Sequence, residues 1–222
     1  MHRTQLVWDL PLRIFHWALA GLVVTSIATG LIGGNALDWH LRSGYAILAL
    51  LIFRILWGFV GGHHARFANF LRGPSHILRY LRGDAPPPAG HNPLGALSVV
   101  AMLGLLLIQG LIGLFANDDV LIEGPLYKFV SKDTSDWLTG LHKRNLYPLG
   151  ALIALHLGAV FYYLLARKEN LIRPMLTGYK QLPGAPDDAA VAAPGHARGS
   201  MLLAVILLLL SSVTVWWVVT RL

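Results

Sequence analysis

Five apolar runs of about 20 residues, the length that crosses a bilayer core, decide what this 222-residue chain can fold into. They fall at approximately 12–33, 41–61, 94–116, 145–166 and 201–220. A backbone in hydrocarbon must satisfy its own hydrogen bonds, so runs of this kind become transmembrane helices. Hydrophobic residues make up 55% of the chain and charged residues 13%, with a mean hydropathy of +0.56, which excludes an ordinary soluble domain. The first run is too long for the apolar core of a cleaved signal and lacks a small-residue cleavage site. It reads as an uncleaved anchor.

The net charge of +7 invites a nucleic-acid reading, and the placement of the charges answers it. Arg3, Arg13, Arg66, Arg72, Arg79, Arg82, Arg167, Lys168, Arg173, Lys180 and Arg198 fall on one side of the alternating spans, eleven of the 18 basic residues. The other side holds Arg42, Lys128, Lys132, Lys143, Arg144 and Arg221 beside Asp118, Asp119, Glu123, Asp133 and Asp136. The positive-inside rule puts the N-terminus in the cytoplasm and the C-terminus outside. The basic balance thus records topology and contact with anionic membrane lipid, and no nucleic-acid partner is expected.

Between spans two and three, Gly62–Asn92 is too polar to cross. Phe67, Phe70, Leu71, Ile77, Leu78 and Leu81 fall near helical spacing among its arginines. That pattern predicts a short helix on the inner surface, interrupted at Gly73-Pro74 and followed by a stiff Pro-rich connector from Asp84. The acidic-leaning connection Asn117–Leu141 reads as a half-folded cap over the outer mouth or a docking surface. Three parts result: a four-helix membrane domain over 1–180, a Pro/Ala/Gly-rich linker over 181–200, and a further transmembrane helix over 201–222. This last span has no histidine or charge before Arg221 and reads as a peripheral helix outside a four-helix core.

The absence of cysteine removes iron–sulfur ligation, thiolate chemistry and covalent haem attachment. Histidine is the remaining ligand. His142 and His156 are fourteen residues apart on one span, which places their rings about 21 Å apart along the axis and within about 40° of one face. His16 opens span one at the inner side and His40 opens span two at the outer side. Depth pairs His16 with His156 and His40 with His142. A closed zinc site wants about four ligands together, whereas two imidazoles at each level suit the two axial positions of a porphyrin iron. The fold class expected is therefore an all-α integral membrane protein, a four-helix transmembrane bundle holding two non-covalent, bis-histidine b haems, plus the fifth helix.

Other positions fit the same frame. Gly30, fourteen after His16, faces the outer level, where a missing side chain admits the macrocycle. Arg54, fourteen after His40, is read either as a partner for haem propionates or as a snorkelling arginine. Gly44 is read as haem clearance or as helix packing. Arg42, Lys143 and Arg144 can balance propionate charge at the outer haem. His63-His64 reads as a polar rim, as do His76, His91 and His196, and His2 is terminal.

Several motifs in order carry a family resemblance: VWDLPLRIFHW at 7–17, HLRSGY at 40–45, FRILWGFVG at 53–61 and GHNPLG at 90–95. FANDD at 115–119, EGP at 123–125, the His142/His156 pair and ENLIRP at 169–174 extend it. The chain resembles the bacterial cytochrome b561 family, in its nickel-hydrogenase b-subunit branch, over about residues 5–180. The resemblance implies a four-helix diheme cytochrome b of the bacterial inner membrane, with axial ligands at His16, His40, His142 and His156. It also implies a periplasmic redox partner such as a hydrogenase or a c-type cytochrome. The fifth span departs from the family core.

The function expected is electron transfer across the cytoplasmic membrane between that partner and the quinone pool or another redox protein, with quinone a candidate cofactor. A rival is an enzyme oxidising quinol or superoxide on its own, for which Gln109 is the obvious lining residue unless it makes an interhelical hydrogen bond. A second rival is a histidine-lined metal or proton transporter.

Overall fold

The computed structural model describes residues 2–84, 89–120, 122–183 and 199–222. Most of the expected linker, with His196 and Arg198, and the middle of the Pro-rich connector lie outside the described residues. Strand β1 (His2–Leu6) leads into α1 (Leu10–Ile32), α2 (Leu37–Val60), α3 (Phe67–Phe70), α4 (Pro74–Leu81) and α5 (Pro93–Gly113). Then come α6 (Lys132–Leu165), α7 (Ile172–Thr177), β2 (Tyr179–Pro183) and α8 (Met201–Arg221). Among the described residues α1, α2, α5, α6 and α8 are long and apolar enough to cross a membrane.

Two local features differ from the sequence expectation. The fourth span begins at Lys132 rather than 145, so residues 132–141 of the expected outer connection are helix. Its polar first turns hold by local bonds that hydropathy does not register. Ser131 Oγ accepts from Thr134 N at 3.2 Å, and Lys132 pairs with Asp136 one turn on at 2.7 Å. Fully buried Ser135 donates to Phe115 O at 2.7 Å and accepts from Asn117 Nδ2 at 2.6 Å. The second difference is a strand pair. β1 runs antiparallel to β2, joining Leu6 with Tyr179 and His2 with Pro183, and β2 crosses the boundary placed at 180. The turn into α2 needs left-handed backbone at two consecutive positions, φ 71° at Gly33 and 54° at Gly34, which only glycine adopts cheaply.

The chain divides into two compact units. The first comprises Met1–Phe15, Arg54–Val100 and Ala154–Val205. Its centre is Asp9, only 4% exposed, which caps α1 by accepting from Leu12 N at 3.0 Å. The same carboxylate accepts from Trp57 Nε1 at 3.2 Å and Gly62 N at 3.0 Å. Trp57 is wholly buried, and a Cβ on Gly199 would stand 2.2 Å from its ring. Trp8 packs against His91 (ring centroids 4.6 Å) and His64 (6.5 Å), and Phe70 against His91 at 4.7 Å. His63 stays exposed and bonds Asn69, as a rim residue would. His64 and His91 instead join an aromatic cluster, and burial pushes His64 down to about 4, so it is neutral at physiological pH.

The second unit comprises His16–Phe53, Ala101–Ile153 and Ile206–Leu222. Val23 of α1, Ile47 and Leu51 of α2, Leu106 of α5 and Leu149 of α6 form its core. Four helices thus meet there. Val215 of α8 packs with Leu48, Ala49 and Leu114 on the flank of α2 and the end of α5, so in this unit the fifth helix is peripheral to that core. In lipid this association rests on close packing and interhelical hydrogen bonds rather than on exclusion of water.

Asp9→Ala leaves three buried donors without their acceptor and is expected to cost about 3 kcal/mol. Thermal unfolding in detergent measures it. Asp9→Asn keeps an acceptor oxygen and loses less, and an unchanged unfolding temperature for Asp9→Ala contradicts the role given to Asp9.

Candidate haem site

The second unit brings the rings of His40 and His142 together, with centroids 5.8 Å apart and planes crossed at 87°. His40 sits in the first turn of α2 and reaches α1, where its Nδ1 lies 2.8 Å from Ser26 O, with Ser26 Oγ at 3.3 Å. His142 sits in α6 and reaches α5, where its Nδ1 lies 3.0 Å from Gln109 O. A carbonyl oxygen only accepts, so each Nδ1 carries the proton and donates it. Each Nε2 is left as the lone-pair nitrogen, the arrangement usual for imidazole that binds a metal.

Each ring lies over a glycine of the helix it reaches. A Cβ at Gly30 would stand 2.9 Å from His40 Nδ1, and one at Gly113 would stand 3.0 Å from His142 Cε1. The gap at Gly30, expected to admit a macrocycle, is filled by the imidazole. A Cβ added at Gly44 would meet no atom within 4 Å among the described residues.

Gln109 completes a reciprocal clasp between α5 and α6. Its Nε2 donates to His142 O at 3.1 Å, and its Oε1 accepts from Asn145 Nδ2 at 2.8 Å. Asn145 Nδ2 also reaches Leu105 O at 3.1 Å. The Gln109 side chain is an interhelical tie, and a substrate pocket loses the lining residue expected of it. Arg42, Lys143 and Arg144 are exposed, with the Arg42 guanidinium 5.6 Å from the Trp39 ring centre.

His16 belongs to the second unit and is half-buried, its ring edge-on to Trp17 at 5.0 Å. His156 and Arg54 belong to the first. Arg54 is 2% exposed, with its guanidinium carbon 4.8 Å from the centre of the Phe67 ring. Its Nη1 is buried with no hydrogen-bond partner among the described residues. A snorkelling arginine would keep its head in water, which this buried guanidinium does not.

The donor set tests which group fits. No cluster of three or more His, Cys, Asp or Glu forms a metal site among the described residues, which argues against a closed zinc centre. A metal bound at about 2 Å by one nitrogen of each of two imidazoles sets their ring centres about 6 Å apart, against 5.8 Å for His40 and His142. Two imidazoles that face one another would suit the iron of a haem b.

Comparison with known proteins agrees. The family model for prokaryotic cytochrome b561 matches residues 7–178. A probable Ni/Fe-hydrogenase B-type cytochrome subunit of Bradyrhizobium diazoefficiens is 23% identical, covering 80% of this chain and 86% of the relative. Its counterpart in Azotobacter vinelandii is 25% identical over 78% and 87%. The probable Ni/Fe-hydrogenase 1 B-type cytochrome subunit of Escherichia coli K12 is 21% identical over 78% and 89%. No solved structure matches the chain. The chain belongs to the prokaryotic cytochrome b561 family, integral inner-membrane proteins that transfer electrons on haem b.

Proposed function

We propose that this protein is a diheme electron conduit of the inner membrane. One haem b is held by His40 and His142, a second by His16 and His156. The N-terminus faces the cytoplasm. Electrons pass between a periplasmic redox protein, of the hydrogenase kind that the relatives' names indicate, and the quinone pool. The carrying observation is the paired geometry of His40 and His142, each with Nδ1 engaged by a backbone carbonyl. The inner pair rests on depth along the helices and on the family resemblance.

Bound haem supplies reversible one-electron chemistry at iron. The chain supplies the conditions for it. Ser26 O and Gln109 O draw on the Nδ1 protons, which makes each Nε2 more electron-rich and fixes the ring's rotation. Val23, Ile47, Leu51, Leu106 and Leu149 line the second unit with apolar side chains and keep water out. Arg54 offers a buried positive charge to propionates of the inner haem, and Asp9, the anion felt by its guanidinium, holds it in balance. Arg42, Lys143 and Arg144 play the corresponding part, from solvent, at the outer haem. Gln109, the lining residue expected of a protein oxidising quinol or superoxide by itself, is engaged by Asn145 and His142.

A pyridine haemochrome assay on purified protein is expected to give two haems per chain. His40→Ala and His142→Ala each remove one and the same haem, and His16→Ala and His156→Ala each remove the other. Loss of a shared haem in His16→Ala and His142→Ala overturns the pairing, and a colourless protein overturns the function. Potentiometric titration of Arg54→Gln is expected to lower the midpoint of one haem only, because a removed positive charge no longer favours the reduced state. Arg54→Lys restores part of the shift, and an unshifted Arg54→Gln titration removes Arg54 from the site.

A further inference from the structure

The two outer ligands are seated by the same device on different helices. Ser26 and Gly30 of α1 stand four residues apart, as do Gln109 and Gly113 of α5. In an α-helix the carbonyl of residue i already bonds the N–H of residue i+4, and the side chain at i+4 ordinarily screens it. Glycine at that position bares the carbonyl from the side. His40 Nδ1 reaches Ser26 O at 2.8 Å across Gly30, and His142 Nδ1 reaches Gln109 O at 3.0 Å across Gly113. A Cβ would stand 2.9 Å from His40 Nδ1 at the first glycine and 3.0 Å from His142 Cε1 at the second. At Gly30 that is closer than real Cβ atoms come, so the His40 ring must shift; at Gly113 it is tight, and the His142 ring must give way slightly. The rings so held are crossed at 87°.

We infer that Gly30 and Gly113 are positioning residues that lock the axial imidazoles of the outer haem nearly perpendicular, by opening one helix carbonyl to each ring. This rests on the reading of His40 and His142 as a haem pair. Each imidazole donates π density to the iron d orbital perpendicular to its own plane. Crossed rings load two different d orbitals alike, leave them nearly equal in energy, and give the oxidised low-spin iron a widely spread electron paramagnetic resonance signal. Parallel rings load one orbital and give a compact rhombic signal.

Low-temperature resonance spectra of the oxidised, haem-loaded protein test this. The wild type is expected to show a widely spread low-spin signal that persists in His16→Ala and vanishes in His40→Ala. Gly113→Ala and Gly30→Ala turn one ring and convert that signal to the compact type, while the Soret band and the haem count stay unchanged. A wild type without the spread signal overturns the inference, and this measurement stands whether or not the variants fold. Retention of the wild-type signal by both haem-loaded glycine variants overturns it as well. A protein lacking Soret absorption defeats the haem reading itself, an outcome distinct from a haem-loaded protein with only compact signals.

Discussion

Histidine within a membrane helix carries two ring nitrogens, and hydrocarbon satisfies neither. In the second unit both imidazoles answer this the same way, by donating Nδ1–H to a carbonyl of the neighbouring helix. The bond fixes the tautomer and ties two helices together. His40 thereby joins α2 to α1, and His142 joins α6 to α5, with Gln109 returning a hydrogen bond to His142 O. Interhelical polar contacts of this kind contribute about 0.6–2 kcal/mol each. Packing and ligand geometry therefore depend on the same few atoms.

The first unit treats charge differently. Asp9 is buried but saturated by donors from Leu12, Trp57 and Gly62, so its carboxylate acts as a knot at the start of α1. Arg54 is equally buried, yet its Nη1 has no hydrogen-bond partner among the described residues and its flat guanidinium faces Phe67. The anion of this unit is thus fully hydrogen-bonded, whereas its buried cation keeps one nitrogen without a hydrogen bond.

Much of this was legible in the residue order. Apolar runs located the five helices, because bilayer length is a strict requirement. Depth along those runs matched His40 with His142. Their acceptors were not legible, because a backbone carbonyl has no letter of its own. Gly113 carried a signal that went unused: it stands four after Gln109, as Gly30 stands four after Ser26. The early start of α6 was hidden since Ser131, Lys132 and Asp136 read as loop when only hydropathy is weighed. Pairing of β1 with β2 joins residues some 175 positions apart, beyond any local pattern. His64 and His91 looked like rim residues until Trp8 and Phe70 gathered beside them.

The fifth helix also limits who can approach. With Val215 lodged against Leu48, Ala49 and Leu114, this flank of α2 and α5 is occupied by the chain's own C-terminal segment. Ser211 is sealed beneath it, donating to Leu207 O at 2.8 Å. Val24, Leu31 and Ile32 of α1 are by contrast bare. In the second unit one flank of α2 is thus closed by the chain's own last helix, while these α1 side chains stay uncovered.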